Sequence, residues 1–344
     1  MENPQSQKLL ALAQEFYQMK PWTWMFESDI FGIEDSQTKL RGYASVMGSL
    51  GEHISITFYL GIEALNNFWK LSDDPENTPP ETTLETAQLM LSFEDPELIE
   101  EKDDFLLSRL DTGINTEGRI PVFLRYSPGM FPIEPSEDET RIFTIFLEQA
   151  IEVIRRFEKN RELLFPDDPS DLLADVYLIR EAKDTGDGHL VWSDQFRTLN
   201  FDTIPAPSCV PDPLLVSQLT YRVRSMRVYE ATLMMFPAPI KEDDQPPYFP
   251  YLMLLVDKKK DLIVGYEMLQ PTLGFHAMLE SVPNKFLSII NQQSHLPKEI
   301  HCSSQRLYEM LVSACKQLPI KLVRKKVLRQ SQNIIDNYLT NIGE

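Results

Sequence analysis

Four prolines fall within nine residues near the middle of the chain, at Pro205, Pro207, Pro211 and Pro213. Proline fixes its own φ angle, lacks a backbone N–H and biases the preceding residue toward extended backbone, so regular structure is interrupted there. A chain of 344 residues is also long enough for two domains that each bury a core. We therefore predict two domains, over residues 1–205 and 212–344.

The two predicted domains differ sharply in charge. Residues 1–205 hold 39 Asp and Glu against 17 Lys and Arg, whereas residues 206–344 hold 13 against 16. The net charge of −19 is thus divided into −22 in the first part and +3 in the second. Charge bears on partners rather than on fold, and an acidic first domain repels nucleic acid at distances that salt leaves unscreened. We expect a protein partner, with nucleic acid disfavoured.

Composition excludes several classes of protein. Apolar residues make up 42% and charged residues 25%, as in ordinary globular proteins, and no apolar run approaches the roughly 18 residues that a membrane span requires. The start of the chain, residues 1–8, is polar. An odd number of cysteines without Cys-x-x-Cys spacing is typical of a reducing compartment; they are Cys209, Cys302 and Cys315. We expect a soluble cytoplasmic protein without membrane contact.

The first half combines strand-like segments with amphipathic helices. Short aromatic and β-branched segments over residues 22–31, 41–48 and 52–60 are separated by turn residues and predict an antiparallel meander. Ser136 with Glu139 three positions later forms a capping-box pattern, which predicts the start of a long helix over residues 137–160. Strands interleaved with separate helices predict an α+β domain with an antiparallel sheet.

The second half has a clear order of elements, βββαβαβα. The strand segments are residues 227–236, 251–256, 262–269, 299–302 and 320–323. The helical segments are residues 273–292, with an interruption near Pro283, then 305–317 and 326–339. This order predicts a mixed sheet covered by helices.

That order, together with Tyr251-Leu-Met-Leu-Leu-Val-Asp257 followed by Leu262-Ile-Val-Gly-Tyr266, resembles the ribonuclease H-like fold, especially integrase and transposase cores. The resemblance implies carboxylates on the first strand, after the fourth strand and on a following helix, where two metal ions clamp the reacting oxygens of a phosphodiester. The whole chain also resembles uncharacterised two-domain bacterial proteins that have an acidic first domain. Neither resemblance assigns an activity.

The chain departs from the catalytic pattern that this resemblance implies. The first strand offers only Glu230, and the fourth ends in Cys302-Ser-Ser304 where an acid is expected. Because carboxylate oxygens hold magnesium in such centres, the nuclease centre is predicted to be lost. The alternative is a metal-dependent phosphodiesterase or nuclease with an unorthodox site formed by Glu230, Asp257 and Glu267.

Other catalytic patterns are weak. None of the five histidines forms a His-x-x-x-His or His-x-Glu pair, so neither a metal nor a cofactor is predicted. His301 and Cys302 are adjacent on a predicted strand, where their side chains point to opposite faces. The acidic clusters at residues 100–104 and 167–171 are typical of solvated surface.

The best candidate binding surface is a basic run in the second half. Its members are Lys321, Arg324, Lys325, Lys326 and Arg329. Such a run suits phosphate or an acidic protein surface, although a simply hydrated helix end also explains it. The sequence therefore predicts a non-catalytic interaction or regulatory protein. A further alternative is that the acidic first domain mimics nucleic acid and holds a basic partner.

Overall fold

The computed structural model of the chain describes residues 4–51, 53–96, 116–166, 175–185, 190–243 and 245–342. The acidic clusters at residues 100–104 and 167–171 lie outside these ranges. The fold divides into two compact units, Met1–Ser127 with Pro132–Ile204 and Pro128–Phe131 with Pro205–Glu344. Among the described helices, none combines the length and the apolar character that crossing a membrane requires.

The first unit is built on a sheet of seven strands. They are β1 (Phe31–Glu34), β2 (Arg41–Met47), β3 (Ser55–Leu60), β4 (Gln88–Glu94), β5 (Ile120–Tyr126), β6 (Val176–Asp184) and β7 (Leu190–Thr198). Their order across the sheet is β5-β4-β3-β2-β1-β6-β7. All neighbours pair antiparallel except β1 and β6, which are parallel. The antiparallel meander is confirmed, and the parallel pair makes the sheet mixed.

Helices cover both faces of this sheet. They are α1 (Pro4–Met19), α2 (Gly61–Asp73) and α3 (Glu137–Lys159). Helices α1 and α3 bury one large apolar core against the sheet, and α2 buries a smaller core on the other face. The predicted capping box is present, because Ser136 and Glu139 exchange hydrogen bonds between side chain and backbone at the start of α3.

The prediction of a strand over residues 22–31 was wrong. Pro21–Thr23 forms a 3₁₀ turn, and the strand begins only at Phe31. Trp22 packs against the rings of Phe16 and Tyr17 in α1, with centroids 5.9 and 5.3 Å away, whereas Phe26 is 72% exposed. The aromatic residues of this segment are thus distributed by tertiary contacts and do not alternate as a strand requires.

The second unit is built on a sheet of five strands. They are β8 (Val228–Met235), β9 (Tyr251–Asp257), β10 (Leu262–Leu269), β11 (Glu299–Cys302) and β12 (Lys321–Arg324). Their order is β10-β9-β8-β11-β12, so β10 and β12 are the edges. Strands β8, β11 and β12 are parallel, and β9 is antiparallel to both of its neighbours.

Four helices complete the second unit among the residues that the structure describes. They are α4 (Pro213–Thr220), α5 (Phe275–Asn291), α6 (Gln305–Gln317) and α7 (Arg329–Ile342). Helices α5 and α6 lie on one face of the sheet, and α7 lies over β8 and β9 on the other. The predicted order βββαβαβα and the α+β class are confirmed, with α4 added in front. Pro283 lies inside α5 without ending it.

A short segment from the first half of the chain is part of the second unit. The N–H of Phe131 donates to the carbonyl of Pro247 at 2.9 Å, and the N–H of Phe249 donates to the carbonyl of Gly129 at 2.9 Å. The rings of Phe131 and Phe249 lie 5.8 Å apart. A fragment that begins near residue 211 lacks these contacts, so experiments on this unit call for the full chain.

Candidate functional site

The three carboxylates of the predicted alternative site do not converge. Glu230 lies opposite Val256 in the pairing of β8 with β9, so the next residue, Asp257, points to the other face of the sheet. Glu267 lies opposite Met253, which is about 13 Å along β9 from Asp257. Two catalytic metal ions sit about 4 Å apart and need ligands from one place. This arrangement does not supply them.

Each of these carboxylates has a local structural partner. Glu230 Oε2 accepts a hydrogen bond from the N–H of Ser331 at 2.9 Å. Asp257 Oδ1 accepts from two N–H groups of the following turn, and Glu267 Oε2 lies 3.1 Å from Lys285 Nζ. Within the described ranges, no group of three or more His, Cys, Asp or Glu side chains has the geometry to hold a metal ion.

Glu230 is a positioning residue for α7. Its side chain is only 2% exposed, and Ser331 lies in the first turn of α7, where backbone N–H groups have no partner within the helix. A carboxylate at a helix N-terminus is favoured by both the hydrogen bond and the helix dipole. Glu230 therefore fixes the start of the helix that carries Ile334 and Ile335.

Substitution tests this positioning role. We expect Glu230→Ala to lower the free energy of unfolding of the second unit by about 1–3 kcal/mol, because a buried N–H loses its acceptor. Glu230→Gln keeps an acceptor oxygen and is expected to cost less. Denaturant titration and amide exchange of α7 measure both effects. Equal losses in the two variants, or unchanged exchange in α7, contradict this role.

The predicted basic run is divided by the structure. Lys321 begins β12 beside Glu299, with Lys321 Nζ 3.8 Å from Glu299 Oε1. Arg324 ends β12, and its guanidinium donates to the side chain of Gln305. The remaining cations, Lys325, Lys326 and Arg329, follow at that end. We call Arg324–Arg329 the basic corner; Lys321 lies about 10 Å from it along the strand.

A second group of cations gathers at the opposite end of this sheet. Parallel β8, β11 and β12 begin there, and the β9–β10 turn lies at the same end. The exposed cations at this end are Arg227, Lys258, Lys259, Lys260, Lys298 and Lys321. We call Lys258–Lys260 the lysine turn; with Arg227 it lines a cleft of about 590 Å³.

An apolar groove lies on the α7 face of the second unit. It has a volume of about 460 Å³, and its floor is formed by β9 and β10. Helix α7 borders it on one side, and the proline-rich loop after β8 borders it on the other. The residues that define it best are Leu252, Leu254, Tyr266, Met268, Ile334 and Ile335. Its walls are almost entirely apolar.

The cysteine and histidine of β11 are not a reactive pair. Ile300 lies opposite Tyr229 and His301 opposite Glu230, so Cys302 and His301 face opposite sides of the sheet. Burial raises the pKa of Cys302 to about 11, with Arg324 opposing it, and burial raises the pKa of Cys315 to about 12. His301 Nε2 lies 3.1 Å from Glu299 Oε2. Thiols held this way are poor nucleophiles.

Comparison with known proteins finds two matching family models, and neither model carries an activity. No curated protein and no solved structure matches the chain, so the ribonuclease H-like resemblance stays a prediction. Two family models match: one domain of unknown function (DUF7309) over residues 7–175, and another (DUF6930) over residues 215–338. The chain is therefore similar, over two successive parts, to two domain families of unknown function, DUF7309 followed by DUF6930.

Proposed function

We propose that the chain is a non-catalytic interaction protein whose second unit binds an extended segment of a partner protein alongside β10. The observation that carries this proposal is the surface of that strand. Strand β10 is at the edge of its sheet and exposes four large apolar side chains. They are Leu262, Ile263, Tyr266 and Met268. Exposed apolar edge strands are rare because they invite pairing with another chain.

The groove beside β10 suits a strand from a partner. An extended segment added to a sheet edge gains main-chain hydrogen bonds, and alternate side chains enter neighbouring pockets. Ile263, Tyr266 and Met268 all line the groove, so the edge and the groove form one continuous surface. A volume of about 460 Å³ accommodates a few large apolar side chains.

Details of β10 limit where the added strand pairs. A bulge interrupts the pairing of β10 with β9 between Ile263 and Gly265. The carbonyl of Val264, inside this bulge, accepts a hydrogen bond from Gln293 Nε2 at 3.1 Å. Since bulges break regular pairing, we place the partner strand beside residues 265–269.

The proposal has two further parts, a secondary contact at the basic corner and a reducing compartment. We propose the basic corner as a secondary contact for an acidic protein surface, because Lys325 and Lys326 are exposed there. Three free cysteines support a reducing compartment such as the cytoplasm.

Peptide display with matched variants tests the proposed function. Random linear peptides are selected on the full chain, and the affinity of the most enriched peptide is measured. Tyr266→Asp changes a side chain that lines the groove, and Leu214→Asp on α4 is its matched control outside the groove, with exposures of 62% and 70%. We expect Tyr266→Asp to weaken binding about tenfold or more, because an aromatic side chain that the peptide covers becomes charged. Leu214→Asp is expected to change affinity by less than about twofold.

A second arm asks whether the peptide binds as a strand. N-methylation of alternate backbone amides removes donors without changing the side chains, so it is expected to abolish binding in one of the two methylation registers. The proposal is overturned if no peptide is enriched, or if Tyr266→Asp binds the peptide as tightly as the unmodified chain does. It is also overturned if the groove binds a small apolar fluorophore but no peptide.

A further inference from the structure

The lysine turn lies at the end of the strand that forms the proposed edge. Strand β10 begins at Leu262, directly after the turn that joins it to β9. Lys258, Lys259 and Lys260 are consecutive and exposed. The cleft that they line with Arg227 lies between the start of β8 and the end of β9, on the side of β9 away from β10. A segment along the outer edge of β10 therefore reaches the lysine turn, and not Arg227, at one end.

Two acids belong to the ends of the lysine turn. Asp257 is buried and Asp261 is exposed, so three exposed lysines outnumber one exposed carboxylate. Asp257 Oδ1 accepts hydrogen bonds from the N–H groups of Lys259 and Lys260, at 3.0 and 3.2 Å. The N–H of Asp261 donates to the carbonyl of Asp257, and Asp261 adopts a left-handed φ of 52°. The turn is thus pinned by its backbone, and its lysines remain at the surface.

We infer that the partner segment carries carboxylates at the end that lies beside the lysine turn. This inference rests on the proposed function, because it adds partner chemistry to the same site. An added strand lies about 4.8 Å from β10, and Leu262 is about 10 Å along the strand from Gly265. Residues three or four positions beyond the paired part of the segment therefore come beside the lysines.

Strand direction decides which end of the segment is acidic. Antiparallel pairs are slightly more stable per residue than parallel pairs. A segment antiparallel to β10 runs from Leu269 toward Leu262, so its carboxyl-terminal end reaches the lysine turn. The partner is accordingly an apolar segment followed by acidic residues. Nucleic acid does not supply the backbone pairing that the edge of β10 offers.

The expected contribution of these charges is moderate. A single exposed ion pair contributes little to affinity, and salt screens it. Three lysines together are expected to raise affinity about tenfold at low salt, which corresponds to about 1.4 kcal/mol. Most of this gain is expected in the association rate, because charge complementarity steers the encounter.

The experiment uses the peptide enriched by display, extended by three residues. One version carries three glutamates at its carboxyl end, a second carries three glutamates at its amino end, and a third carries three glutamines at its carboxyl end. Binding to the full chain is measured at low and high salt. We expect the carboxyl-terminal glutamate version to bind about tenfold tighter than the glutamine version at low salt, with the difference lost at high salt.

Matched charge variants identify where the effect arises. In the variant K258Q/K259Q/K260Q the glutamate and glutamine versions are expected to bind equally. The control K325Q/K326Q/R329Q removes three cations from the basic corner and is expected to keep the difference. Equal binding of the glutamate and glutamine versions to the unmodified chain overturns the inference, while the proposed function stands.

The remaining outcomes separate the two proposals further. Tighter binding of the amino-terminal glutamate version overturns the antiparallel direction, and loss of the difference in the basic-corner variant moves the acidic contact there. If duplex DNA displaces the peptide from the unmodified chain but not from K258Q/K259Q/K260Q, the choice of an acidic protein segment is overturned. Failure of every version to bind overturns the proposed function itself.

Discussion

Replacing Asp35 by alanine is expected to lower the free energy of unfolding of the first unit by about 3–5 kcal/mol. The Asp35 side chain is completely buried, and both of its oxygens pair with the guanidinium of Arg141 at 3.0 and 3.1 Å. Asp35 Oδ2 also accepts hydrogen bonds from the N–H and hydroxyl of Thr38. Removal of the carboxylate leaves the Arg141 charge and the Thr38 donors without their acceptor.

The same group makes stability depend on pH. Burial alone raises the pKa of Asp35, but hydrogen bonds from Arg141 and Thr38 outweigh it and lower the pKa from 3.8 to about 2. A lowered pKa in the folded state means that this contribution is fully present above about pH 4 and is lost as pH falls toward 2. Asp35→Asn is expected to remove this part of the acid dependence.

Denaturant titrations at pH 6 and at pH 2.5 measure both effects. The matched control is Glu15→Ala, which breaks the exposed pair between Glu15 and Arg155. We expect that control to cost less than about 1 kcal/mol. The structural role of the Asp35–Arg141 pair is contradicted if Asp35→Ala lowers the free energy of unfolding no more than Glu15→Ala does. It is also contradicted if Asp35→Asn leaves the acid dependence of stability unchanged.

Phe146→Ala is expected to lower the free energy of unfolding of the first unit by about 3–5 kcal/mol. Phe146 is fully buried in α3, and its ring centroid lies 5.5 Å from that of Phe58 in β3. The ring also covers the backbone of Gly42 in β2, where an added Cβ lies 2.4 Å from Phe146 Cε2. The sheet thus approaches α3 closely because residue 42 lacks a side chain.

A double-mutant cycle tests this close approach. Gly42→Ala alone is expected to cost about 1–3 kcal/mol, because the methyl group overlaps the aromatic ring. In the Phe146→Ala background the same substitution is expected to cost little, since the space is empty. The coupling is read from urea titrations of the four chains. Additive losses contradict direct contact between Gly42 and Phe146.

The sequence predicted the elements whose signals are local. The capping box of Ser136 and Glu139 located the start of α3, and the βββαβαβα order of the second unit follows from alternation and short turns. Residues 22–31 were wrongly predicted as a strand because Trp22 is placed by contacts with α1, which no local pattern records. Helix α4 (Pro213–Thr220) was missed because it begins at Pro213, the last proline of the cluster, which was interpreted as interrupting regular structure.

The candidate site is formed by segments that are far apart in the chain, so the spacing of residues in the sequence does not predict it. The groove joins β10 to α7, which lies about seventy residues later in the chain. A consecutive basic run predicted one patch at Lys321–Arg329, yet Lys321 and the remaining cations lie at opposite ends of β12. The three lysines of the lysine turn are consecutive in the chain, but the neighbouring cations Arg227 and Lys298 come from other segments. Clusters of charges that come from distant segments can be located only once the fold is known.

Amide hydrogen exchange of the full chain, with and without the peptide enriched by display, tests the central claim most directly. We expect slower exchange in β10, strongest over residues 265–269, because those N–H groups gain partners in the added strand. Exchange in the basic corner is expected to stay unchanged. Unchanged exchange in β10, with protection confined to the basic corner or to the first unit, contradicts binding at this edge.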